Sequence, residues 1–282
     1  MKLQTKLALA LAPLIVLSLL TLGWSGYIKL RDTATERTLR EMQTLLDQLG
    51  HNVQMNIAAT QANLELFSRS DMLRRYVLTA DETARYSLLQ PTLLKQFASY
   101  QDAYPDYYEI RLLLPDGYED TRSTRDVIPN VTEEEADTPW FRELREAPED
   151  TVLNLLRNPD DQRMVLLAAR KLRFRDPSLD PLLAQPVLRG YLVITMSLDF
   201  LARQVESNRV GVDGSIFYTD DRGTVLFHPQ RDRVGTALAP ELFAALRRAV
   251  ADGEPLTTEV DGVKLLFQGR RLQQRLFLFA AL

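Results

Sequence analysis

Hydrophobic and polar positions change their period along this chain, and each change marks a different kind of element. Residues 7–28 form a run of twenty-two without one charged side chain, enough as a helix to cross the roughly 30 Å hydrocarbon core of a bilayer. Lys2 and Lys6 precede the run, and Trp24 and Tyr27 stand where interfacial aromatics sit, so the pattern predicts a membrane anchor in preference to a cleaved signal peptide. Lys29 and Arg31 balance the basic residues of the other flank, which leaves orientation open. From 29 to 67 there is no proline and a single glycine, Gly50, predicting one long helix. Leu39, Met42, Leu46, Leu49 and Val53 recur at spacings of three and four, a stripe that either zips two copies together or packs on the chain's own body. Ser70-Asp71 restarts a helix, and Asp81-Glu82 caps another before the stripe Tyr86, Leu89, Leu93, Phe97, Tyr100.

At Tyr107 the period falls to two. Tyr108, Ile110 and Leu112 alternate with Glu109, Arg111 and Leu113, which predicts a half-buried strand, and Pro115-Asp116-Gly117 turns it into a second strand at 119–124. Pro139-Trp140-Phe141 opens a short helix, proline being favoured in a first turn. Strands follow at 152–156, 164–172 and 187–196, the last two separated by a loop at 175–186 holding three prolines, and Ser197-Leu198-Asp199 caps a helix to about Glu206. A smaller unit then repeats the rhythm. It has strands at 214–218 and 224–228 joined by Asp220-Asp221-Arg222-Gly223, a helix at 240–250, and strands at 256–260, 263–268 and 273–281.

Composition narrows the functional classes. A net charge of −4 and a pI near 5.4 argue against nucleic acid. Glu133-Glu134-Glu135 and Asp160-Asp161 lie among Pro, Asn and Thr and are expected in solvated loops. The absence of cysteine excludes a disulfide or thiolate metal site. His51 on the stalk and His228 beside Pro229 are the chain's two histidines. They assemble no Ser-His-Asp order, HExxH or phosphate loop, so no catalytic residues, no metal ligands and no cofactor are expected. Asp220-Asp221 is read as a turn in preference to a metal pair.

The string Gly214-Ser215-Ile216-Phe217-Tyr218-Thr219-Asp220-Asp221-Arg222-Gly223-Thr224-Val225-Leu226-Phe227-His228-Pro229, followed by Val234-Gly235, resembles the membrane-proximal half of double Cache (dCache) domains. Glu109-Ile110-Arg111 with Asp116-Gly117-Tyr118-Glu119 and Arg122 is similar to the distal hairpin of the same PAS-like bacterial sensors. The resemblance covers about residues 29–282. It implies an α+β fold, with a cytoplasmic tail at 1–6, a transmembrane helix at 7–28 and a long stalk helix with following helices at 29–104. Tandem Cache modules with antiparallel sheets then occupy 105–207 (membrane-distal) and 208–282 (membrane-proximal, incomplete at its end). It further implies an inner-membrane receptor with its body in the periplasm from about residue 29, homodimeric through the stalk, binding a small molecule distally and signalling by helix displacement. Outputs of such sensors are GGDEF and EAL cyclic di-GMP enzymes, the favoured class here, or histidine kinases and methyl-accepting chemoreceptors. None is present in this chain, and a second span and output are expected beyond Leu282.

Ligand residues are carried over by motif. The amino-acid-binding subgroup places an arginine two residues before a Trp-Tyr pair; here Trp140 is kept, Phe141 replaces the tyrosine, and Thr138 stands at the arginine position. Arg111, Arg122, Arg142 and Arg170 could hold an anionic ligand instead, since guanidinium forks match carboxylates. With Tyr108 and Asn154 these form the candidate ligand-binding set. The competing class is an anchored periplasmic scaffold, which would show a packed distal core and an exposed apolar patch.

Overall fold

The computed structural model describes residues 3–131, 133–175, 185–211, 214–260, 262–273 and 275–282, the side chains of 3–17 and 31–32 being outside the described set. Helix α1 runs unbroken from Leu3–Ser68. Among the described residues no helix is long and apolar enough to cross a membrane; the span expected at 7–28 falls largely on side chains outside that set, as does most of the loop expected at 175–186. Ser70 then caps α2 (Asp71–Leu78), its hydroxyl accepting from the Leu73 amide at 3.2 Å. Asp81 caps α3 (Glu82–Ala84) by accepting from the Ala84 amide at 3.0 Å. A π turn, Arg85–Leu89, leads into α4 (Gln90–Ala103), whose Leu93 and Phe97 are buried as the stripe required.

The distal sheet contains β1 (Tyr107–Leu113), β2 (Glu119–Thr124), β3 (Thr151–Arg157), β4 (Met164–Phe174) and β5 (Val187–Ser197), in the order β2-β1-β5-β4-β3. All neighbours are antiparallel. Helix α5 (Pro139–Glu146) lies between β2 and β3 in sequence and covers one face through Trp140, Phe141 and Leu144. The other face packs on α1 and α4 through Ile110, Leu112, Ile194 and Ala168. Strand β1 is therefore buried on both faces, every residue of it, and is not the half-buried strand its alternation suggests. Helix α6 (Asp199–Ser207) follows.

The proximal sheet repeats the plan with β6 (Ser215–Asp220), β7 (Val225–Phe227), β8 (Leu256–Val260), β9 (Val263–Gln273) and β10 (Leu276–Ala281), ordered β7-β6-β10-β9-β8. Helix α7 (Pro240–Asp252) covers its outer face with Phe243 and Leu246 against Phe217, Phe277 and Phe279. Asp220 makes the hairpin turn, its Oδ1 accepting from the amides of Arg222 at 2.9 Å and Thr224 at 2.7 Å.

The stalk stripe is spent inside this body. Met42, Leu46, Leu49 and Val53 are all 3% exposed or less and join one cluster with residues of both sheets. Gly50 lies against β9, where an added Cβ would meet Leu272 at 3.0 Å, and Asp47 pairs with Arg270 of the same strand. Of the two partners the stripe could take, the structure gives the chain's own body: these apolar side chains pack on their own chain.

Candidate functional site

Alternation along β1 sends Ile110 and Leu112 toward α1 and sends Glu109 and Arg111 toward the face that α5 covers. Cross-strand pairing sets Arg111 opposite Arg122 of β2 and Glu109 opposite Thr195 of β5. Two guanidiniums adjacent on a buried face require counter-charges, and the connecting loops bring them. Arg111 Nη1 donates to Glu135 at 2.7 Å and lies 3.6 Å from Glu119, while its Nε lies 3.6 Å from Glu109. Arg122 donates to Glu109 at 2.7 Å, to Asp160 at 2.8 Å and to the Pro129 carbonyl at 3.2 Å. Thr195 donates to the second Glu109 oxygen at 2.7 Å, and the Trp140 indole donates to Glu135 at 3.1 Å. Asn158 donates to the hydroxyl of Tyr108 at 2.7 Å on the rim of this cluster.

The charge balance is uneven. Among the described residues, four carboxylates, Glu109, Glu119, Glu135 and Asp160, face two guanidiniums, all with side chains at most 11% exposed. Burial opposes the Arg111 charge, but Glu109 and Glu135 outweigh it and hold the guanidinium above its ordinary value. Burial pushes Glu119 up against the pull of Arg111 and Arg122. One Glu119 oxygen accepts from Asn130 at 2.9 Å; the other is buried and accepts no hydrogen bond. Burial likewise raises the Tyr108 hydroxyl. Among the described residues no group of three or more His, Cys, Asp or Glu could hold a metal ion.

Of the residues expected from sequence, Tyr108, Arg111, Arg122 and Trp140 meet here. Phe141 supports them from the core, edge-on to Tyr191 at 4.9 Å. Arg142 is exposed on the far side of α5. Arg170 points to the opposite face, donating to Thr151 at 2.8 Å and lying 3.9 Å from Glu65 of α1. Asn154 is on β3, across the sheet from β1. Of the four arginines expected to hold an anionic ligand, Arg111 and Arg122 pair with carboxylates in this cluster. Glu135 and Asp160, expected in solvated loops, are 2% and 8% exposed. Glu109, Glu119 and Thr195 went unread as well; the signal that could have found them was the Glu109-Ile110-Arg111 alternation on a strand with no solvent face.

The Cache domain pattern (dCache_1) matches residues 30–275, and the chain belongs to that family. Cache domains are ligand-binding modules of signal-transduction receptors and are typically extracytoplasmic. No curated protein sequence matches the chain. Among solved structures, the fold is similar to a domain assigned to a sensory box/GGDEF protein of Vibrio parahaemolyticus, at 17% identity, covering 88% of this chain and 96% of that one, with a TM-score of 0.64. The ligand-binding domain of the Campylobacter jejuni chemoreceptor Tlp3, solved with 4-methylisoleucine, matches at 13% identity, 87% and 90% coverage and a TM-score of 0.65. The extracellular domain of a protein assigned as a histidine kinase matches at 17% identity, 88% and 91% coverage and a TM-score of 0.63.

Proposed function

We propose that this chain is the periplasmic input of a bacterial inner-membrane receptor, anchored by residues 7–28, and that its distal cluster binds a small molecule through a protonated amine. The observation that carries the ligand class is the buried Glu119 Oε2, which lies 3.6 Å from Arg111 Nη1 yet accepts no hydrogen bond, in a cluster where the described carboxylates outnumber the arginines. An ammonium supplies both missing quantities, a positive charge and a donor. An amino acid fits less well, since its carboxylate would compete for arginines that Glu109, Glu135 and Asp160 already occupy. A protein scaffold fits less well again, because a polar distal interior adds nothing to partner adhesion. Binding near Glu135 and Trp140 would shift the loop and α5 against the sheet, and α1, packed on the opposite face, carries that shift toward the bilayer. The favoured output is a GGDEF or EAL enzyme acting on cyclic di-GMP; a chemoreceptor or histidine kinase output uses the same displacement.

Thermal denaturation of the full chain with putrescine, L-valine and succinate tests the ligand class. A ligand present at 100 times its Kd adds about 2.7 kcal/mol to the native state. The expected result is a raised melting point with putrescine, none with succinate, and loss of the putrescine shift in Trp140→Ala and Glu119→Gln. A shift with succinate alone would restore the anion reading and end this one.

A further inference from the structure

A cavity of about 340 Å3 lies between the two sheets, walled by none of the distal cluster. The stalk contributes Val53, Ile57 and Gln61 to it. The distal sheet contributes its β3 edge through Leu153, Asn154 and Leu155, and the proximal sheet contributes the β9–β10 turn through Gln273, Arg275 and Leu276. Its volume falls within the range of roughly 300–1,000 Å3 usual for small-molecule sites.

Three observations define what it would take. The floor is aliphatic, with Leu166 and Leu198 completing the stalk and β3 side chains. The charged side chains of the lining, Glu143, Glu149 and Arg275, are exposed, and Arg275 lies 4.0 Å from Asp221, so the rim is weakly acidic while the remaining lining is uncharged. Asn154 adds a polar residue to the β3 wall, though it is 4% exposed with Nδ2 buried. Because β3 is the outermost strand, alternate backbone amides and carbonyls along it also face away from the sheet.

We infer that this cleft is a second ligand site, taking an uncharged molecule with a compact apolar body and a carbonyl or amide group for the outward-facing backbone of β3. Its occupant touches the stalk, the distal sheet and the proximal turn together. It therefore binds only while the three keep this arrangement, and it sets how firmly the proximal sheet follows the stalk.

Saturation-transfer NMR on the full chain in lipid nanodiscs, with phenylacetamide as probe and empty discs as reference, tests the site. Transfer above the reference is expected, and excess putrescine leaves it intact. Leu155→Trp fills the cavity from β3 and Gln273→Trp fills it from the turn; each abolishes transfer. Gln273→Trp decides the matter if Leu155→Trp does not fold, as read by circular dichroism. No transfer above empty discs, persistence of transfer in a folded filling variant, or displacement of phenylacetamide by putrescine overturns the inference. The last outcome would put the probe in the distal cluster.

Discussion

Glu135 reaches from a loop to partners on separate elements, the Arg111 guanidinium and the Trp140 indole. Removing it strands a buried positive charge and an indole donor at once. Glu135→Ala should therefore destabilise the protein by about 3–5 kcal/mol, the usual penalty for breaking a buried pair. Urea denaturation that showed less than about 0.5 kcal/mol, the size of an ordinary surface effect, would mean the cluster rearranges freely. Glu119 gives a pH signature of the opposite kind. Its folded pKa is raised above the ordinary 4.5, so the folded state holds the proton more tightly than the unfolded chain, and its contribution to stability declines as pH climbs from 4.5 through the folded value. Glu119→Gln should remove that decline, seen as a flatter stability profile above pH 4.5; an unchanged profile would discount the carboxyl's burial. Half of this site was readable in the sequence. Arg111, Arg122 and Trp140 could be named from motif, but Glu135 and Asp160 could not, because a carboxylate in a polar loop is buried only by a partner elsewhere in the chain.

At the scale of elements the reading was closer, since strands, caps and helices declare themselves locally. Ser70 and Asp81 cap helices as expected, and Glu119–Thr124 forms the returning strand. Ser70→Ala should cost about 1 kcal/mol through loss of the α2 cap, measurable by chemical denaturation; no loss would show that the α2 start is held by packing alone. The direction in which the stalk stripe faces was not legible, because an apolar seam looks the same whether its partner is another copy or another part of the chain. Here it is the latter. Leu46→Ala should destabilise the protein by about 2–5 kcal/mol, and the loss should not vary with protein concentration. A melting point that rises with concentration in the wild type and not in the variant would reinstate the dimer seam.

At the scale of the molecule, one hydrophobic cluster runs from Met42 on the stalk through Ile110 and Ile194 of the distal sheet to Ile216 and Leu278 of the proximal sheet. The sheets are thus distinct in topology yet share a core along α1. Calorimetry should record a single unfolding transition in which both sheets melt together. Two separated transitions would mean that the stalk contacts are too weak to couple them. The shared core also gives the proposed signal its rigidity, since Gly50 and Asp47 fix β9 to the same helix that backs the distal site.

The matching strand orders of the two sheets carry one more consequence. With the same scaffold used twice, the face covered by the intervening helix differs: the distal copy sets Glu109, Arg111 and Arg122 beside the apolar cluster of Trp140, Phe141 and Tyr191, whereas the proximal copy is filled by Phe217, Phe277 and Phe279. A charged interior is adaptable and fragile, whereas an aromatic one is solid and mute. Repeating one strand order lets a single chain hold both, so the proposed distal site is braced through the shared stalk by an aromatic half.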